Sequence, residues 1–143
     1  MSTKSVKNKK NTKILKKPSA QALSDAVVTL AQAKEMGNAF IRERDWQQFH
    51  NPKNLSMALA IEAAELMEKF RWTEGSESFK ELLINREEIE DEAADVFFSL
   101  LSFCTSADID ISSAFARKLV KTAKRYPVDK VKGLAEYKPA KRK

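Results

Sequence analysis

The sequence predicts an all-α fold, and three observations carry that expectation. Only three glycines (Gly37, Gly75, Gly133) and four prolines (Pro18, Pro52, Pro127, Pro139) interrupt 143 residues, which leaves room for long helices. Apolar residues recur at intervals of three and four through the middle of the chain. The signature of strands, alternating β-branched residues between turn pairs, is absent. With 43% hydrophobic residues the chain is long enough for one domain with a core and too short to expect two.

A first helix is expected to begin between Pro18 and Ser24, capped by Ser19 or Ser24, and to run to about Arg44, with Val27, Leu30, Ala31, Gly37 and Phe40 on its apolar side. Asp45 to Asn54 mixes aromatic, amide and turn residues and reads as a bend of the kind that lines a pocket. A second helix follows from Asn54 or Leu55 to Arg71, ended by the loop around Thr73, Glu74 and Gly75. The third runs from Ser78 to Thr105 with an interruption around Ile84 to Arg86. Val96, Phe97, Phe98, Leu100, Leu101 and Phe103 cover nearly its whole circumference, which implies burial all round and, in so small a domain, cover from a second subunit. A fourth helix, capped by Asp110 or Ser112, carries Phe115, Leu119 and Ala123 and stops before Pro127. The expected organisation is a disordered Lys-rich tail (1–20), a helical domain (21–127) and a basic C-terminal tail (128–143).

Charge is unevenly distributed. Residues 1–18 hold seven lysines and no acid, and residues 128–143 hold six bases against two acids, so the tails together carry +11 although the whole chain is only +6. The segment between them is therefore acidic, at −5. A folded nucleic-acid binder would show its basic stripe on the domain itself, so nucleic acid is an unlikely partner. The single Cys104 cannot form an intrachain disulfide and sits among Leu100, Leu101 and Phe103 as a small hydrophobe. The single His50 rules against zinc held by several His and Cys ligands. No apolar run approaches the roughly 18 to 20 residues that span a bilayer, and no secretion signal follows the basic start, so a soluble, cytoplasmic protein with no membrane partner is expected.

Two short motifs carry the chemistry. Glu62-Ala-Ala-Glu65 and Glu92-Ala-Ala-Asp95 each place two carboxylates one helical turn apart at the edge of an apolar stripe. The first stripe is Leu55, Leu59, Ala63, Leu66 and Phe70, and the second is Ile89, Ala93, Val96, Leu100 and Phe103. Helices that meet through those stripes would aim all four acids into one cleft. One such pair alone is an ordinary solvated face, but two in matching register suit magnesium, which prefers hard oxygens and commonly completes its shell with water and substrate phosphate. A di-iron or di-manganese bundle would need Glu-x-x-His on two helices, and the third residues on are Glu65 and Asp95.

A phosphate chain on such a metal needs further positive charge, and no glycine-rich loop offers backbone amides. The fourth helix supplies Lys118, Lys121, Lys124 and Arg125, then Tyr126; surface lysines are the ordinary alternative. Trp46, Phe49, His50 and Trp72 flank the first acidic helix, where aromatic faces can stack on a nucleobase and His50 or Asn54 can bond its edge. Core or subunit-interface roles serve Trp46 and Trp72 equally well.

Taken together, Glu43-Arg44-Asp45-Trp46-Gln47-Gln48-Phe49-His50-x-Pro52-x-Asn54-Leu55, Glu62-x-x-Glu65-Leu66 with Phe70-x-Trp72, Glu90-Asp91-Glu92-x-x-Asp95-Val96, and Lys118 with Arg125-Tyr126-Pro127 resemble the MazG-like nucleotide pyrophosphohydrolases over roughly residues 27 to 132. Within them the chain is most similar to the dCTP pyrophosphatase branch. The resemblance implies an all-α fold of interlocked dimers forming a homotetramer, and Mg2+-dependent cleavage of a nucleoside triphosphate substrate to monophosphate and pyrophosphate. It makes Glu62, Glu65, Glu92 and Asp95 the metal ligands and catalytic acids, with the alternative for one of them of orienting the attacking water. It makes Lys118, Arg125 and Tyr126 the phosphate site, and has Trp46 and Trp72 shape the base pocket that His50 and Asn54 border.

The chain departs from the family's pattern at Thr122 (often Asn), Ser99 (often Tyr) and Gly37 (often His). The smaller Ser99 and Gly37 raise the hypothesis of a pocket opened to a larger or modified base. The alternatives are a non-catalytic helical module that binds polyanions through its basic tails, and a related enzyme acting on dUTP or phosphoribosyl-ATP.

Overall fold

The computed structural model describes residues 23–135, and all regular structure among them is helical. The expected Lys-rich tail at 1–20, with the cap at Ser19, lies outside the described residues.

Helix α1 spans Leu30–Glu43 and begins later than Ser24. Ser24 instead closes a turn, its carbonyl accepting from the Val27 and Val28 amides at 2.9 Å each. The start is fixed by Thr29-x-x-Gln32, a reciprocal capping box: the Thr29 hydroxyl accepts from the Gln32 amide at 3.2 Å, and the Gln32 side chain accepts from the Thr29 amide at 2.7 Å. Asp45, with a left-handed φ of 52°, then turns the chain into the bend. A 3₁₀ turn over Gln47–Phe49 occupies it, and Asn54 closes it by donating from its amide side chain to the Phe49 carbonyl at 3.1 Å.

Helix α2 is Pro52–Glu68, two residues earlier than the expected start at Asn54. Asn51 caps it by accepting from the Asn54 amide at 3.0 Å, and Pro52 occupies the first turn, where its fixed φ fits and no amide is missed. The expected third helix is interrupted at Asn85, dividing it into α3 (Ser78–Ile84) and α4 (Arg86–Ser106). Asp108, at φ 52°, takes the place usually held by glycine at a helix end, and Ile109 donates back to the Cys104 carbonyl at 2.8 Å. Asp110 then caps α5 (Ile111–Arg125) through the Ser113 amide at 3.0 Å. A short turn α6, Val128–Val131, extends helical order past Pro127.

The body is built on α2 against α4, with α1 across α4. Ile41, Leu55, Ile89, Leu101 and Cys104 are buried at these contacts, the cysteine almost completely. Gly37 permits the close approach of α1 to α4: a Cβ there would meet the Phe98 ring at 3.0 Å. The Phe98 ring stands edge-on to Phe40 at 5.9 Å, and Phe40 edge-on to Trp46 at 6.0 Å, so one aromatic row ties α4, α1 and the bend.

Within one chain α4 is not buried all round, since Phe97 is 46% exposed. Helix α5 leaves α4 at 102° and, among the described residues, packs extensively on no other helix, leaving Phe115 and Leu119 exposed. No single described helix is long and apolar enough to cross a membrane.

Candidate functional site

Pairing α2 with α4 sets the two acidic motifs face to face. Carboxylate oxygens of Glu62, Glu65 and Glu92 lie within 4.8 Å of one another. Asp95 falls outside that triad, yet its charge is felt by Glu62. Burial pushes the Glu62 carboxyl above its ordinary pKa, and the negative charges of Glu65, Asp95 and Glu92 add to the effect.

The donor set fits a hard divalent cation. All three ligands are carboxylate oxygens carried on helices, and separations within 4.8 Å are comparable with the roughly 4.2 Å between opposed ligands of a magnesium octahedron. The like charges repel one another, and a cation would relieve that repulsion.

Lys69 and Glu88 belong to the same cluster, and sequence reasoning passed over both. The Lys69 ammonium lies 3.0 Å from Glu88 Oε2 and 3.3 Å from Glu92 Oε1, joining the last turn of α2 to α4. Donating hydrogen bonds to Glu88 and then Glu92 raises the ammonium's pKa. A signal was present: Lys69 follows Glu62 by seven residues and Glu65 by four, on one helical face, and Glu88 precedes Glu92 by four.

The base candidates divide into two groups. In the bend, His50 Nδ1 donates to the Trp46 carbonyl at 2.7 Å, the His50 carbonyl accepts from the Ser106 hydroxyl at 2.9 Å, and Asn54 is held as described above. A cleft of about 170 Å³ opens beside His50, between Asn38, Ile41, Gln47 and Ser102. Trp72 lies past the opposite end of α2, 84% exposed, with the Arg71 guanidinium over its ring at 4.7 Å. Seventeen residues of helix separate the two groups by about 25 Å. One chain therefore cannot bring Trp46 and Trp72 to the same base.

The phosphate candidates stand apart as well. Lys118 and Arg125 are exposed on α5 and make no ion pair with the acids among the described residues; the Arg125 guanidinium lies 5.4 Å from the Tyr126 ring. At Gly37 the structure corrects the hypothesis of an opened pocket, because the space a side chain would take is filled by Phe98. Ser99 is buried.

The fold and the acids define a class: a helical domain, all-helical among the described residues, with an all-oxygen candidate metal centre between two packed helices. The chain matches the MazG-like family over residues 57–138 and belongs to it. It is 33% identical over 109 residues to dCTP pyrophosphatase 1 of Mus musculus, covering 75% of this chain and 64% of that protein. With dCTP pyrophosphatase 1 of Homo sapiens it shares 34% identity over 101 residues, 69% of this chain and 59% of that protein. The chain thus spans a little under two thirds of the length of these curated relatives. A solved pyrophosphatase structure from Archaeoglobus fulgidus superposes with a TM-score of 0.66 at 37% identity, over 68% of this chain and 92% of that one.

Proposed function

We propose that the chain is a magnesium-dependent nucleoside triphosphate pyrophosphohydrolase, cleaving dCTP or a related or modified deoxynucleoside triphosphate between its α and β phosphates. The observation that carries this reading is the convergence of Glu62, Glu65 and Glu92 from two helices within 4.8 Å, in a chain of the MazG-like family. The names of the relatives support the reaction and the substrate class.

Glu62, Glu65, Glu92 and Asp95 would hold the metal, and one of these carboxylates would instead orient the water that attacks the α-phosphorus in line. Magnesium, when bound, supplies electrophilic stabilisation of the phosphates and acidifies water. Lys118 and Arg125, with Tyr126 beside them, neutralise the triphosphate. Trp46, His50 and Asn54 border one side of the base, and Trp72 the other.

The separation of these groups within one chain supports an assembly in which a second copy contributes α5 or Trp72. The exposed Phe97, Phe115 and Leu119 are apolar surface for such an assembly, and a homotetramer of paired dimers is the form we propose. An enzyme of nucleotide pools would work in the cytoplasm.

Pyrophosphate release across a panel of common and 5-substituted deoxynucleoside triphosphates, with and without magnesium, tests the proposal. Alanine at each of the four acids should abolish turnover with helical circular dichroism intact, and deletion of residues 1–18 should leave it unchanged. Turnover retained in all four acid variants would remove the site. Mixing inactive Trp46→Ala and Trp72→Ala chains should restore activity if a base site is shared between copies.

A further inference from the structure

The acid cluster already carries a cation of its own. The Lys69 ammonium is bracketed by Glu88 Oε2 at 3.0 Å and Glu92 Oε1 at 3.3 Å, and its side chain is only 26% exposed. Glu92 is also one of the three carboxylates gathered within 4.8 Å. A single carboxylate therefore faces both a tethered ammonium and the proposed metal position.

We infer that Lys69 is a positioning residue and internal counter-ion of this centre: it holds Glu92 toward α2 and competes with the divalent cation for that carboxylate, with Glu88 drawing off part of its charge. The inference rests on the metal reading of Glu62, Glu65 and Glu92. Its physical basis is Coulombic. A unit positive charge about 6 Å from a divalent cation, screened as in water, weakens binding by about tenfold. The ammonium has a second function toward the acids themselves, offsetting repulsion among carboxylates that have no other cationic side chain in contact among the described residues. Glu88 sets the balance: without it, Lys69 bonds to Glu92 alone and opposes the metal more strongly.

Mn2+ binding to the full-length chain without nucleotide, read from the electron paramagnetic resonance signal of free Mn2+, separates the outcomes. Lys69→Gln should bind about tenfold tighter than wild type, whereas Lys69→Arg, which keeps the charge, should stay within about twofold of it. Glu88→Gln should weaken binding, and the weakening should shrink when Lys69→Gln is also present. If Lys69 merely tethers α2 to α4, its removal loosens the site, so unchanged or weaker binding by Lys69→Gln overturns the inference. Should that variant not fold, Glu88→Gln alone decides, since equal or tighter binding overturns it too. Wild-type Mn2+ binding that Glu62→Gln does not diminish would instead overturn the metal reading itself.

Discussion

Replacing Glu62 by glutamine should make the metal-free protein more stable, a gain opposite to the usual effect of altering an active-site residue. Glu62, Glu65 and Glu92 lie within 4.8 Å of one another, and two unit charges at that distance repel by about 0.9 kcal/mol even when screened as in bulk water. Neutralising Glu62 removes two of the three repulsive pairs, about 1.7 kcal/mol. No attraction is lost with them, because Glu62 makes no ion pair among the described residues. For a domain of this size that corresponds to a rise in Tm of about 5 °C or more.

The pH dependence follows from the raised carboxyl. The folded chain holds the Glu62 proton more tightly than the unfolded chain does, so ionisation costs folded stability above the raised pKa. As pH falls through that pKa the cost disappears. The advantage of Glu62→Gln should accordingly be full at about pH 8 and gone by about pH 4, the ordinary carboxylate range. Magnesium should invert the order, since wild type gains about 2.7 kcal/mol at a hundredfold excess over Kd and the variant gains less. Thermal unfolding followed by circular dichroism, with chelator and with magnesium at both pH values, checks each part. A variant that melts below wild type in chelator at pH 8, and answers magnesium as wild type does, refutes the reasoning.

Further outcomes are expected elsewhere in the chain. Lys118→Ala should lower kcat/KM for the triphosphate by about 10² to 10³, the scale of losing one charged donor to a developing phosphate charge, with Mn2+ binding unchanged. Gly37→His should destabilise the fold by about 1 to 3 kcal/mol through overpacking against Phe98, and adding Phe98→Ala should recover part of that loss in chemical denaturation. Asp110→Ala should unravel the start of α5, seen as faster amide exchange at Ser113. The Ser113 amide depresses the Asp110 carboxyl, so the cap's contribution should hold above the ordinary carboxylate range and fade as pH falls through the depressed value.

What the sequence disclosed was local. Glu62-x-x-Glu65 and Glu92-x-x-Asp95 were readable because three-residue spacing on a helix needs no tertiary knowledge, and the break at Asn85 and the Asp110 cap were readable from composition and capping chemistry. The start of α1 lies later than Ser19 or Ser24 although its signal is in the sequence: Thr29-x-x-Gln32 is a capping box, and the earlier serines offer competing N-cap chemistry. The roles of Lys69 and Glu88 depend on how α2 is rotated against α4, which helical periodicity leaves open. The direction of α5 is set by one left-handed residue, Asp108, at a position where sequence favours glycine. The closeness of Phe98 to Gly37 likewise exists only after two helices have met.

Crystals grown with Mn2+ and a triphosphate whose α–β bridge resists hydrolysis offer the most direct test of the central claim. Anomalous scattering should place manganese between the carboxylates of α2 and α4, bound by at least three of Glu62, Glu65, Glu92 and Asp95 and by phosphate oxygens of the ligand. Manganese bound elsewhere, with these carboxylates free of metal and the nucleotide absent from their cleft, would contradict it.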